Sequence, residues 1–111
     1  MYNECMRRKI KKIITLLNKA LKEHFVDFKG AYLYGSFAKN TSHPESDIDI
    51  VALFENKPDR KKMSIIWGIV GPIEAEYDVF LDLHTMTQEE LMRNQIYYNE
   101  VVNKGIFYDA A

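Results

Sequence analysis

Tyr34-Gly35-Ser36-Phe37-Ala38-Lys39 and, after a polar loop, Ser46-Asp47-Ile48-Asp49-Ile50-Val51 decide how this chain is read. Just ahead, Ala31-Tyr32-Leu33-Tyr34 is rich in strand formers, and Gly35-Ser36 ends the run sharply. Residues 36–40 are expected to form a short helical turn capped by Ser36. Thr41 to Ser46, with His43 and Pro44, has loop composition. Asp47 to Phe54 reads as a second strand. Its alternation puts Ile48, Ile50 and Ala52 on one face and Asp47, Asp49, Val51 and Leu53 on the other.

The elements further out follow from periodicity. Residues 5–23 form an amphipathic helix, with Ile10, Ile13, Ile14, Leu17 and Leu21 at helical spacing and Lys11, Lys12, Asn18, Lys19 and Lys22 mainly elsewhere on the wheel. A second helix starts near Arg60, with Met63, Ile66, Trp67 and Val70 as its apolar stripe. Gly71-Pro72 is expected to kink or interrupt it, because proline lacks the amide donor a helix interior uses. Tyr77 to Leu83 reads as a third strand, with Asp78, Phe80 and Asp82 on one face. Thr87 and Glu90 form a capping box. A last helix covers about residues 95–104 and stops at Gly105. This order predicts an α/β (α+β) layered domain: a small mixed sheet of three to four strands flanked by helices. Residues 1–111 fit a single domain.

Composition bounds the function. Apolar residues make up 47% and charged residues 28%, as in an ordinary globular protein. The net charge of -1 supplies no basic field over the whole chain, so nucleic acid is not expected as a direct partner. The single cysteine, Cys5, excludes an internal disulfide and a cysteine-based zinc site, and it fits a reducing cytoplasm. No apolar run approaches the ~20 residues that cross a bilayer, and the N-terminus does not read as a signal peptide. His24, His43 and His84 do not have zinc spacing. Tyr97, Tyr98, Phe107 and Tyr108 read as core packing, with a partner surface, a second copy of the chain included, as the alternative.

The chemistry lies in three features. Gly35 lets a backbone approach a phosphate closely, and the Ser36 hydroxyl and the amides of the following turn can donate to anionic oxygens. Asp47 and Asp49, two apart on a strand, point to one side. Their repulsion is relieved by a hard divalent cation such as Mg2+, and the apolar flanks imply burial, where a carboxylate needs a partner. Asp82 lies in another apolar strand. If the strands are neighbours, it completes a three-carboxylate cluster of the kind that supports two-metal phosphoryl or nucleotidyl transfer. Asp78 ranks as the weaker third ligand.

Gly35-Ser36, ten intervening residues and Asp47-x-Asp49 resemble the signature of the minimal nucleotidyltransferases (MNT) of the DNA polymerase beta-like superfamily. The resemblance covers about residues 28–92. It implies the nucleotidyltransferase fold, with Gly35, Ser36 and Lys39 holding the triphosphate of ATP or another NTP. Asp47, Asp49 and Asp82 would bind two Mg2+ ions, and Asp82 would act as general base. The reaction would be adenylyltransferase-like: attack on the alpha-phosphate with release of pyrophosphate. Small members resemble the antitoxin of HEPN/MNT toxin–antitoxin modules, which implies a small helical HEPN protein as partner and a toxin tyrosine as AMP acceptor. Many relatives read Gly-Ser-Arg-Ala-Arg-Gly where this chain has Phe37, Lys39 and Asn40. That departure leaves room for a second reading, an antitoxin that inhibits by contact alone.

Overall fold

The computed structural model describes residues 4–39 and 47–110. The expected loop with His43, together with Asn40, lies outside the described residues. Helix α1 (Glu4–His24) leads into strand β1 (Phe28–Tyr34), followed by β2 (Ile48–Phe54), α2 (Arg60–Tyr77) and β3 (Leu81–Met86). Two short helices, α3 (Gln88–Arg93) and α4 (Gln95–Tyr98), run into a π-helical turn at Asn99–Asn103, and β4 (Ile106–Asp109) closes the chain. The strand order is β3-β2-β1-β4. β1 pairs antiparallel with both β2 and β4. β2 pairs parallel with β3, as expected when α2 crosses between them.

The sheet separates two cores. Ile48, Ile50, Ala52 and Phe54 of β2 face α1 and α2, where Ile10, Ile13, Ile14, Leu17 and Leu21 are buried as the helical spacing predicts. Val51 and Leu53 face the opposite way and pack with Leu91 of α3 and Val101 of the π turn. The alternation along β2 thus holds over the whole strand. Asn18 departs from its expected place on the polar face of α1: it is buried, and its amide donates to the Tyr108 carbonyl at 2.9 Å, tying α1 to β4.

Helix α2 runs unbroken through Pro72 to Tyr77. The residue four before the proline, whose carbonyl loses its amide partner, is the exposed Gly68, so water can replace the missing donor. Trp67 is not part of the buried stripe; it is 48% exposed, and Ile66 and Val70 carry the contact. Because the helix continues, the third strand begins at Leu81 instead of Tyr77. Asp78 is the left-handed cap of α2 (φ 53°), not a strand residue. The strand's first amide, at Leu81, donates to the Glu74 carboxylate at 2.8 Å. The Thr87–Glu90 capping box forms as expected. The last expected helix, about residues 95–104, is two short pieces, α4 and the π-helical turn, and the aromatic C-terminus supplies the fourth strand.

Gly68 and Gly71 sit within α2 with open space where a Cβ would stand. Gly71→Ala is expected to raise stability by about 0.5–1 kcal/mol, since alanine gives up less backbone freedom on entering a helix. Urea unfolding followed by circular dichroism measures it.

Candidate active site

Asp49 and Asp82 are direct partners across the parallel β2–β3 ladder. The parallel register turns both side chains to the face opposite α1 and α2. Tyr34, the last residue of β1, stands opposite Asp49 on the other side of β2. The two carboxylates and the end of β1 therefore meet at one edge of the sheet, where Gly35 begins the next turn. That turn closes with the Lys39 amide donating to the Gly35 carbonyl at 3.2 Å, a single helical turn as expected for this segment.

Gly35 has φ +73°, a left-handed conformation that favours glycine. A Cβ there would run into the Asp49 carboxylate. Glycine thus lets the backbone of the turn lie directly against the acidic pair. Phe37, where many relatives carry arginine, is 1% exposed and belongs to the α1-facing core. Lys39 is exposed, and both oxygens of Glu100 lie on its Nζ, at 2.8 and 2.9 Å.

The carboxylates interact strongly. Burial, then the charge of Asp82, a hydrogen bond with Asp82 and the charge of Asp47 push Asp49 up to about 6, while His84 pulls it down. Asp47 itself is exposed and precedes the first residue of β2. Among the described residues no group of three or more His, Cys, Asp or Glu side chains is preassembled to hold a metal. The donor chemistry nevertheless fits Mg2+. The opposed pair is hard, oxygen-only and carries excess negative charge, and Mg2+ commonly takes one or two carboxylates together with substrate phosphates and water.

Three neighbours were not assigned a role from sequence. His84 lies two residues after Asp82 on the same face of β3, with Nε2 3.2 Å from Asp82 Oδ1. The i, i+2 spacing on a strand is the signal that could have found it. Tyr34 and Tyr97 share a hydrogen bond between hydroxyls at 3.0 Å. Burial first, with the nearby Asp49 and Asp82 charges adding, raises both phenols. Tyr97 comes from α4, so no local pattern connects it to Tyr34. Asp78, at the helix cap, is not on the Asp82 face.

The chain as a whole matches a known family. The polymerase beta nucleotidyltransferase model matches residues 11–104. The chain belongs to that family, and the family's enzymes are nucleotidyltransferases. Comparison with the curated proteins gives no match. Among solved structures, a Sulfolobus solfataricus protein assigned as a nucleotidyltransferase is similar with a TM-score of 0.60 at 14% identity, over 97% of this chain and 88% of that one. A toxin–antitoxin complex with AMP-PNP gives 0.54 at 23% identity, over 94% and 71%. The complex of a tri-AMPylated Shewanella oneidensis HEPN toxin with its MNT antitoxin gives 0.51 at 21% identity, over 95% and 71%. These likenesses are in the fold. Among the described residues, no helix is long and apolar enough to cross a membrane.

Proposed function

We propose that the chain is a Mg2+-dependent nucleotidyltransferase that moves AMP from ATP onto an acceptor hydroxyl, a tyrosine of a HEPN-type toxin, and so acts as an antitoxin. The observation that carries this reading is the Asp49–Asp82 pair facing in register beside the left-handed Gly35 turn. The family supports the transfer. The toxin–antitoxin complexes among the structural neighbours support the partner.

In this reading Gly35, Ser36 and Lys39 hold the triphosphate: backbone amides of the turn and the serine hydroxyl donate to its oxygens, and the ammonium adds charge. Asp49 and Asp82, with Asp47 at the strand start, hold Mg2+, two ions by the family resemblance. When bound, Mg2+ supplies neutralisation of the phosphates and of the leaving pyrophosphate. Asp82 takes the proton of the acceptor hydroxyl, and His84 beside it orients the carboxylate. The hydroxyl oxygen bonds to the alpha-phosphorus, and the bond to pyrophosphate breaks. Most of the catalysis is positioning and electrostatics.

The test is incubation with Mg2+, alpha-labelled ATP and a neighbouring-gene HEPN protein. Label on the partner, lost when its acceptor tyrosine is changed to phenylalanine, is the expected result. A stable complex without transfer under any nucleotide would establish inhibition by contact alone. One observation favours that second reading: Lys39 is engaged by Glu100.

A further inference from the structure

Lys39 is the cation at the end of the Gly35–Lys39 turn, and it is not presented to solvent alone. Its Nζ meets both Glu100 oxygens, 61 residues further along the chain. Glu100 lies in the π-helical turn Asn99–Asn103, a local geometry found often at functional sites. Two close approaches fix this segment against the end of β1 that leads into the Gly35 turn. The Tyr34–Tyr97 hydroxyl bond anchors it just before the turn. Just after it, Gly105 lies so near the Leu33 carbonyl that a Cβ there would stand 2.7 Å from that oxygen. Glu100 is thus presented to Lys39 by a segment held on both sides.

We infer that Glu100 sets the affinity for the nucleotide: its carboxylate occupies the Lys39 ammonium that a triphosphate needs, and binding requires this ion pair to open. The inference rests on the nucleotide-binding role proposed for Lys39. The charges act in one direction. A nucleoside triphosphate is strongly anionic, so a fixed carboxylate on the same cation both competes for it and repels the ligand. Lys39, ahead of Lys104, holds the Glu100 carboxyl below its ordinary range, so it is ionised and competing at neutral pH. Opening the pair does not strand the carboxylate, because Lys104 lies 3.5 Å from Glu100 Oε1 and can take it over. The pair is partly exposed, 40% and 33% for the two side chains, so solvent limits the effect.

The test is the dissociation constant of AMP-PNP with Mg2+, measured by calorimetry at low and high salt for the full chain and for E100Q, K39M and the double variant. E100Q is expected to tighten binding about two- to fivefold at low salt and less at high salt, the range of an exposed ion pair. K39M is expected to weaken binding, and E100Q is expected to add little in the K39M background. K39M weakening with E100Q unchanged or weaker overturns the role of Glu100 and leaves the nucleotide site standing. An equal gain from E100Q with and without Lys39 overturns the competition for that lysine. K39M with unaltered affinity overturns the nucleotide role of Lys39 itself.

Discussion

Asp49→Asn is expected to lose nucleotide transfer while becoming more stable than the natural chain at pH 8. Both effects come from the Asp49–Asp82 pair. In the folded protein, burial, Asp82 and Asp47 push the Asp49 carboxyl up to about 6; in the unfolded chain an aspartate titrates near about 4. Between those values the native state holds a proton that the unfolded state has released. The contribution of Asp49 to stability is therefore fully present below about pH 4, is lost as pH rises through about 6, and stays absent above it. The full shift corresponds to about 3 kcal/mol at 1.36 kcal/mol per unit. Asp49 is only partly buried, and solvent screening reduces that to about 1 kcal/mol.

Asparagine carries no charge at any of these pH values. The thermal midpoint of D49N should exceed that of the natural chain by about 4–8 °C at pH 8, the shift of about 1 kcal/mol in a domain of this size. The gap should close toward pH 4. Mg2+ should raise the midpoint of the natural chain more than that of D49N, because a ligand that binds only the folded state stabilises it by mass action. Transfer should fall at least about a hundredfold, the scale of removing one electrostatic group from a transition state. Melting curves at two pH values, with and without Mg2+, together with label transfer, check all of this. A D49N variant that melts below the natural chain at pH 8 would show that Asp49 is satisfied, not strained, in the free protein.

Strain of this kind explains why the site was readable in the sequence at all. Asp47-Ile48-Asp49 stands out because charge is set into an apolar strand, and the strand's alternation placed Asp49 on a face opposite the α1 core, as the structure bears out. Asp82 stands out for the same reason, although Tyr77 and Asp78 before it belong to the end of α2 and not to the strand. Gly71-Pro72 is expected to kink or interrupt α2, yet the effect of Pro72 is local and met by solvent at Gly68, so the helix takes Asp78 out of the strand and delays β3 to Leu81. The register between Asp49 and Asp82 survives because it is set by the pairing of β2 with β3 and by burial of Leu81 and Leu83, not by where β3 starts. β4 was missed for a different reason. Ile106 and Phe107 are 41% and 42% exposed, so the four-residue edge strand has no clean alternation; only its pairing with β1 defines it. Tyr97 and Glu100 reach Tyr34 and Lys39 from distant elements, which no local pattern encodes, whereas His84 is visible only through its i, i+2 spacing to Asp82.

Two of the three departures from the family motif, Phe37 and Lys39, differ in kind, and Phe37→Arg is expected to separate them by unfolding the protein. Phe37 is 1% exposed and packs in the core shared by α1 and β2. Removing a buried phenylalanine side chain costs about 3–5 kcal/mol, and burying a guanidinium adds to that unless a partner is found. A domain of this size has only about 5–15 kcal/mol in total, so F37R should lose most of its cooperative urea transition. Lys39→Arg, at an exposed position that keeps a charge for Glu100, should leave the unfolding free energy within about 0.5 kcal/mol. An F37R variant that unfolds at the same urea concentration as the natural chain would mean that the side chain can leave the core and point toward the nucleotide. The expected loss means the opposite. Position 37 then holds the turn down onto the core from beneath, and the charge that arginine supplies in many relatives must come from Lys39. That lysine is the one Glu100 holds, so under the proposed nucleotide role of Lys39 the buried Phe37 leaves the charge of this turn, among its described residues, to a cation already paired.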